Sequence, residues 1–184
     1  MAAARACVRD RGLANVTSRD IAALAGANLA AITYHFGSKD DLVSEALFDE
    51  LQRRIEPALV ALQADGDAAS VMLTAIAQLA TDFETNRRDA PLYLEALVAA
   101  TRSGPYARSA RALVRKVRSR LCGQVADLQH QGLVPSWVDP DAMAALIVAV
   151  ANGVALQVSI DPTGPSHQAI GAQFSALLLS AGSP

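Results

Sequence analysis

The sequence predicts an all-α fold of about nine helices, and three observations carry that expectation. Apolar residues make up 52% of the 184 positions while aromatics are only 4%. The apolar content is therefore mostly Ala, Leu and Val, and Ala and Leu are strong helix formers. Apolar positions also recur three and four residues apart, as in Met72, Ile76, Leu79 and Phe83, the spacing that lines one side of a helix. No segment alternates apolar and polar residues with the period of two that a half-buried strand needs.

The elements follow in order. Ala2 to Arg11 reads as a short helix stopped by Gly12, with Ala4, Cys7 and Val8 on its buried side. Thr17, Ser18, Arg19 and Asp20 place an acid three residues after a Thr, the pattern of a capping box with Asp in place of Glu. A second helix from Ser18 then carries Ile21, Leu24 and Ala25 on one side and halts at Gly26. Asn28 offers an N-cap to a third helix, Leu29 to about His35. After Gly37, Ser38 and Asp41 start a fourth helix, Lys39 to roughly Ala64, which Pro57 is expected to kink or split. Asp65 to Asp67 forms a turn before a fifth helix through Met72 and Phe83. Pro91 sits at the start of a sixth, with Tyr93, Leu94, Leu97, Val98 and Thr101 on its stripe. Pro105 opens a seventh that reaches about Gln131, and a connection rich in turn formers, Gly132 to Pro140, follows. The eighth helix spans Asp141 to Ser159 and the ninth Ser166 to Leu179.

A chain of this length buries a core without help from disulfides or metals. Cys7 and Cys122 lack zinc-ligand spacing, and His130 and His167 are isolated in sequence, so no metal site and no cofactor are expected. So few cysteines suit a reducing compartment, and the cytoplasm is the expected location. The most apolar run, Met143 to Ala151, meets Asn152 and Gly153 well short of the about 20 residues of a membrane span, so no membrane partner is expected.

The formal net charge is -2, which argues against a generally basic coat for nucleic acid. Up to Lys39, however, Arg5, Arg9, Arg11, Arg19 and Lys39 stand against Asp10 and Asp20, an excess of three positive charges in an otherwise slightly acidic chain. That local patch is where a polyanion would be met.

The stretch from Thr17 to Leu42 joins these features: a capped helix, a Gly26 turn, a second helix through Ile32, Tyr34, His35 and Phe36, then Gly37, Ser38, Lys39, Asp40 and Asp41. It resembles the DNA-binding module of tetracycline-repressor-like regulators. The residues make physical sense by themselves, because Val8, Ile21, Leu24, Ile32, Phe36 and Leu42 can pack a small trihelical core while Ala25 lets two helices approach. Such packing leaves Asn28, Leu29, Ala30, Ala31 and Thr33 at the front of the third helix, where a recognition helix meets base edges. Asn28 can cap the helix or pair with a base, Thr33 can bond to either base type, and Leu29 or the alanines can meet a thymine methyl. Thr17, Arg19, Tyr34, His35 and Lys39 flank this surface as phosphate holders, with the free amides at the start of the fourth helix adding an anion site. Two positions depart from the common family pattern, since a bulkier apolar residue usually stands at Ala27 and an aromatic at Thr33.

The resemblance implies a helix-turn-helix DNA-binding domain over 1–45 and a helical effector-binding and dimerisation domain over 46–184. The eighth helix is apolar nearly all the way round and so must be covered on several sides. The resemblance implies a homodimer in which the eighth and ninth helices pair with their copies in a four-helix bundle, with Met143, Ile147, Val150, Val154, Ile170, Phe174 and Leu177 at the interface. It further implies a cavity for a largely apolar small-molecule effector among the fifth to eighth helices, with Met72, Phe83, Tyr93, Leu97, Thr101, Leu121, Trp137 and Asn152 as candidate lining residues. The implied function is a repressor that binds a near-palindromic double-stranded operator as a dimer and is released by its effector. Two alternatives stay open: an architectural DNA-binding dimer without effector, and an enzyme in the helical body. For the enzyme no nucleophile elbow, Gly-rich phosphate loop or His/Cys/Asp cluster speaks.

Overall fold

The computed structural model describes residues 1–180, and among them it contains nine α-helices, one 3-10 turn and no strand. The helices are α1 (Ala2–Arg11), α2 (Ser18–Ala25), α3 (Leu29–Phe36), α4 (Lys39–Ala61), α5 (Ala68–Thr85), α6 (Ala90–Ala100), α7 (Pro105–His130), α8 (Pro140–Ile160) and α9 (His167–Ser180). The all-α expectation therefore holds. The turn, Arg87–Asp89, leads directly into α6.

Contacts divide the chain into two compact units. The first comprises Met1–Gln52 with Arg88–Leu113, and the second comprises Arg53–Arg87 with the chain from Val114 onward. In the first, α1 packs on α2 and α2 on α3. Its core is built from Ala4, Val8, Val16, Ile21, Ile32, Leu42, Val43 and Leu47, all nearly or fully buried. Removing most of the Leu47 side chain would cost about 2–5 kcal/mol, the usual range for a buried Leu. In the second unit α5 lies along α9, and α9 also packs on α8. There Met72, Leu121, Val125, Leu128 and Ala144 form the centre of a continuous apolar cluster. Gln129 closes the connection after α7 by donating its amide to the Pro135 and Val138 carbonyls at 3.0 and 2.7 Å.

Three local expectations need correction. α4 runs unbroken through Pro57 and ends at Ala61, before the expected Ala64. Pro57 lies in the last turns, where it removes a single backbone donor, and too little helix follows for a split. Leu24 is 58% exposed and Ala25 is exposed, so neither belongs to the trihelical core, which Ile21 and Ala22 supply from α2 instead. α8 continues without a break through Asn152 and Gly153, both exposed. With 21 residues and a mean hydropathy of 2.0 in its most apolar window, α8 is long and apolar enough to cross a membrane by length and composition.

Candidate nucleic-acid interface

The site is assembled by local chemistry at two helix starts. Thr17 has extended backbone, its hydroxyl accepts the Asp20 amide at 3.2 Å, and the Asp20 carboxylate accepts the Thr17 amide at 3.0 Å. This capping box fixes where α2 begins. Two hydrogen bonds from Thr17, then the nearby Arg11, hold the Asp20 carboxyl below the ordinary aspartate range. At the other end Gly26 adopts φ 60°, ψ 30°, the left-handed conformation, and its amide bonds back to Ala22 and Ala23. A Cβ there would meet nothing within 4 Å, so the backbone angle and not space demands glycine. Two residues later Asn28 caps α3 by accepting the Ala30 amide at 2.9 Å.

α3 turns Ile32 into the core and leaves Phe36 half-buried one turn on. The opposite side is exposed: Leu29 at 43%, Tyr34 at 85%, and Ala30, Thr33 and His35 with them, while Ala31 is half-buried. The Tyr34 and His35 rings meet edge to face at 4.9 Å between centroids. A helix with an open, short-side-chain face and a wet aromatic at its edge has the width and chemistry to enter a major groove about 12 Å wide.

The expected DNA-contact residues all belong to the first unit, but the free positive charge of the chain up to Lys39 is smaller than the sequence suggested. Arg5 pairs with Glu50 at 3.4 Å, Arg9 with Asp89 at 2.8 Å and Arg11 with Asp20 at 3.0 Å. Glu50 and Asp89 lie outside that stretch, and with Lys39 beside Asp40 four of its five cations have an acidic partner. Arg19 remains exposed. Lys39 is only partly exposed, donating to the Val16 carbonyl at 3.1 Å and lying 3.3 Å from Asp40. At the start of α4 the Ser38 hydroxyl takes the Asp41 amide at 3.0 Å, so one amide expected to meet a phosphate is occupied.

Residues 1–46 match the family described as bacterial regulatory proteins, tetR family, and residues 67–181 match the BetI-type transcriptional repressor C-terminal domain. The chain is a TetR-family transcriptional regulator. Over 42 residues it is 60% identical to the HTH-type transcriptional dual regulator CecR of Shigella flexneri, a match that covers 23% of this chain and 18% of that protein. The fold is shared with the transcriptional regulator FadR of Bacillus subtilis, solved in complex with stearoyl-CoA, at a TM-score of 0.81 and 14% identity over 98% of this chain and 96% of that one. It is shared also with a TetR transcription regulator from Haloarcula marismortui, at a TM-score of 0.80 and 19% identity over 98% and 94% of the two chains.

For the rest of this TetR-family chain, the residues expected to line an effector cavity are divided between the two units. Met72 and Leu121 are core residues, Trp137 is 79% exposed and Asn152 is exposed. Tyr93, Leu97 and Thr101 fall in the first unit. Phe83 alone of the eight lines the apolar cavity of the second unit, between α5, α8 and α9. Of the expected dimer residues, Ile147 is buried, Met143, Val150, Val154, Ile170 and Phe174 are half-buried, and Leu177 is exposed. The outward side of α8 is a different stripe: Ala142, Ala145, Leu146, Ala149, Gly153 and Leu156. His167, which the sequence showed only as an isolated histidine, is buried beside Glu84, a partner 83 residues away.

Proposed function

We propose that this regulator is a ligand-responsive repressor that binds a near-palindromic operator as a homodimer and lets go when a largely apolar small molecule binds its helical body. The observation that carries the DNA reading is the exposed Leu29, Ala30, Thr33 and Tyr34 face of the capped α3. Asn28, Leu29, Ala30, Ala31 and Thr33 read bases; Thr17, Arg19, Tyr34, His35 and Lys39 hold phosphates. Residues 1–45 act as the DNA head and 46–184 as the sensing and dimerising body. It works in the cytoplasm, without a cofactor, and performs no catalysis.

The dimer reading rests on α8 and α9. The outward stripe of α8 is small or apolar, and α9 adds the exposed Ala169, Ala172, Ala176 and Leu177. An uncovered apolar surface of this kind is usually an interface, and small residues let helices approach closely. Met143, Ile147, Val150, Val154, Ile170 and Phe174 support that surface from beneath.

Calorimetry tests the repressor reading. An effector that lowers operator affinity must have its own affinity lowered by operator to the same degree, typically about 1 to 3 kcal/mol. A ligand that binds the body tightly with no reciprocal effect rejects the reading for that ligand. The α5, α8 and α9 cavity measures about 70 Å³, whereas ordinary ligand sites run to hundreds of cubic ångströms, so an architectural dimer without effector is kept as the second reading. That alternative predicts operator affinity unmoved by any body ligand.

A further inference from the structure

The apolar cavity of the second unit has one polar side chain in its lining. Ile76 and Phe83 of α5, Val150 and Val154 of α8, and Ile170 and Phe174 of α9 contribute carbon surface, and His167 at the start of α9 completes the wall. His167 is 3% exposed. One face of its ring stacks on Phe83, with centroids 5.7 Å apart and planes at 26°. Nδ1 lies 3.1 Å from the Glu84 carboxylate. Nε2 is buried and has no hydrogen-bond partner.

The proposal takes the uncharged ring. With Nδ1–H donated to a carboxylate, the neutral imidazole presents Nε2 as an acceptor, and the second partner sets the tautomer. A buried acceptor without a donor costs free energy that the fold must make up elsewhere. Such an atom on the wall of an apolar cavity is a point where a ligand gains a hydrogen bond without first displacing a protein partner.

We propose that this cavity is the effector site, and that His167 Nε2 accepts a hydrogen bond from the hydroxyl of a small, otherwise apolar molecule. The proposal rests on the reading of the protein as ligand-responsive. A volume of about 70 Å³, open on one side, takes the hydroxyl end and its first carbons. A whole benzene ring occupies an engineered cavity of about 150 Å³, so the remainder of the ligand leaves through the open side. An anionic head is disfavoured by the Glu84 carboxylate already paired with the same ring.

Phenol and toluene, equal in shape and differing in the O–H donor, test it on the full-length protein. In nitrogen spectra of histidine-labelled protein, phenol should shift the His167 Nε2 signal and toluene should leave it in place. Phenol should bind about tenfold more tightly than toluene, the worth of one net hydrogen bond. His167→Phe keeps the ring stacked on Phe83, should bring the two affinities together, and should raise the melting temperature by removing the unpaired acceptor. Equal binding of the two probes to the unaltered protein, no binding of either, or a phenol preference that survives His167→Phe would each overturn the proposal. The nitrogen spectrum of the unaltered protein decides the matter even where the variant fails to fold. Operator affinity in the same samples separates the two claims. Phenol held at His167 with operator binding unchanged leaves the site standing and rejects ligand-responsive control. Operator release by another body ligand, with neither probe bound, rejects the site alone.

Discussion

Lys39 Nζ lies 3.1 Å from the Val16 carbonyl oxygen and donates to it, tying the start of α4 to the residue before the α2 cap. On the proposed reading the same ammonium holds a phosphate with its remaining protons, so Lys39→Ala should do two things. It should weaken binding to every duplex and reduce the salt slope of the affinity by about one unit. It should also lower the stability of the head by about 1 kcal/mol through loss of the hydrogen bond. Titrations at several salt concentrations beside thermal melts check both. A stability loss with an unchanged salt slope would make Lys39 a tether alone.

Thr33 should behave differently. It is exposed on α3 with a hydroxyl that can serve either base type, so Thr33→Ala should change which operator is preferred by about 1 to 3 kcal/mol at a single base position. Binding to random duplex should hardly move. Parallel titrations with operator variants and nonspecific DNA measure it, and equal losses on both would contradict the assignment.

The cap of α2 gives the head a pH dependence. Because Asp20 is held below the ordinary aspartate range mainly by Thr17, the folded head favours its ionised form. The associated stabilisation is complete above the unfolded aspartate pKa, about 3.9, and fades as pH falls through the lower folded value. Thr17→Ala should cost about 1 kcal/mol at neutral pH and should flatten the acid limb of the stability profile, read by thermal melts between pH 2 and 7. An acid limb of unchanged steepness would show that other carboxylates govern it.

The outward stripe of α8 makes a positional prediction about assembly. Leu156→Glu places a charge on the exposed side and should convert dimers to folded monomers. Val150→Glu buries a charge against the cavity wall and should lower the melting temperature before it changes assembly. Sedimentation and melting curves on both variants separate the outcomes. A concentration-independent monomer for the unaltered protein would contradict the dimer.

How far the sequence could be read depends on the range of the interactions. The α2 cap, the Gly26 turn and the Asn28 cap each involve residues within four positions, so residue type and spacing sufficed to place them. Leu24 misled because it follows Ile21 at helical spacing, yet α2 is only eight residues long and buries just Ile21 and Ala22. On α8 apolar side chains cover the whole circumference, so periodicity could not say that Met143, Ile147, Val150 and Val154 turn inward while Leu146, Ala149 and Leu156 face out. Charge pairing was hidden for another reason: the partners of Arg5 and Arg9 are Glu50 and Asp89, distant in sequence. His167 combined both difficulties, being one isolated polar residue whose partners Phe83 and Glu84 lie on another helix.

The central claim is that the exposed face of α3 reads operator DNA. Selection of bound duplexes from a random pool, carried out with the unaltered protein and with the Thr33→Ala variant, tests it most directly. The account predicts that the unaltered protein enriches a near-palindromic site, with half-site centres about 34 to 36 Å or a multiple apart, and that the variant enriches a site altered at one symmetric pair of positions. Enrichment of no common sequence, or of the same sequence by both proteins, would contradict it.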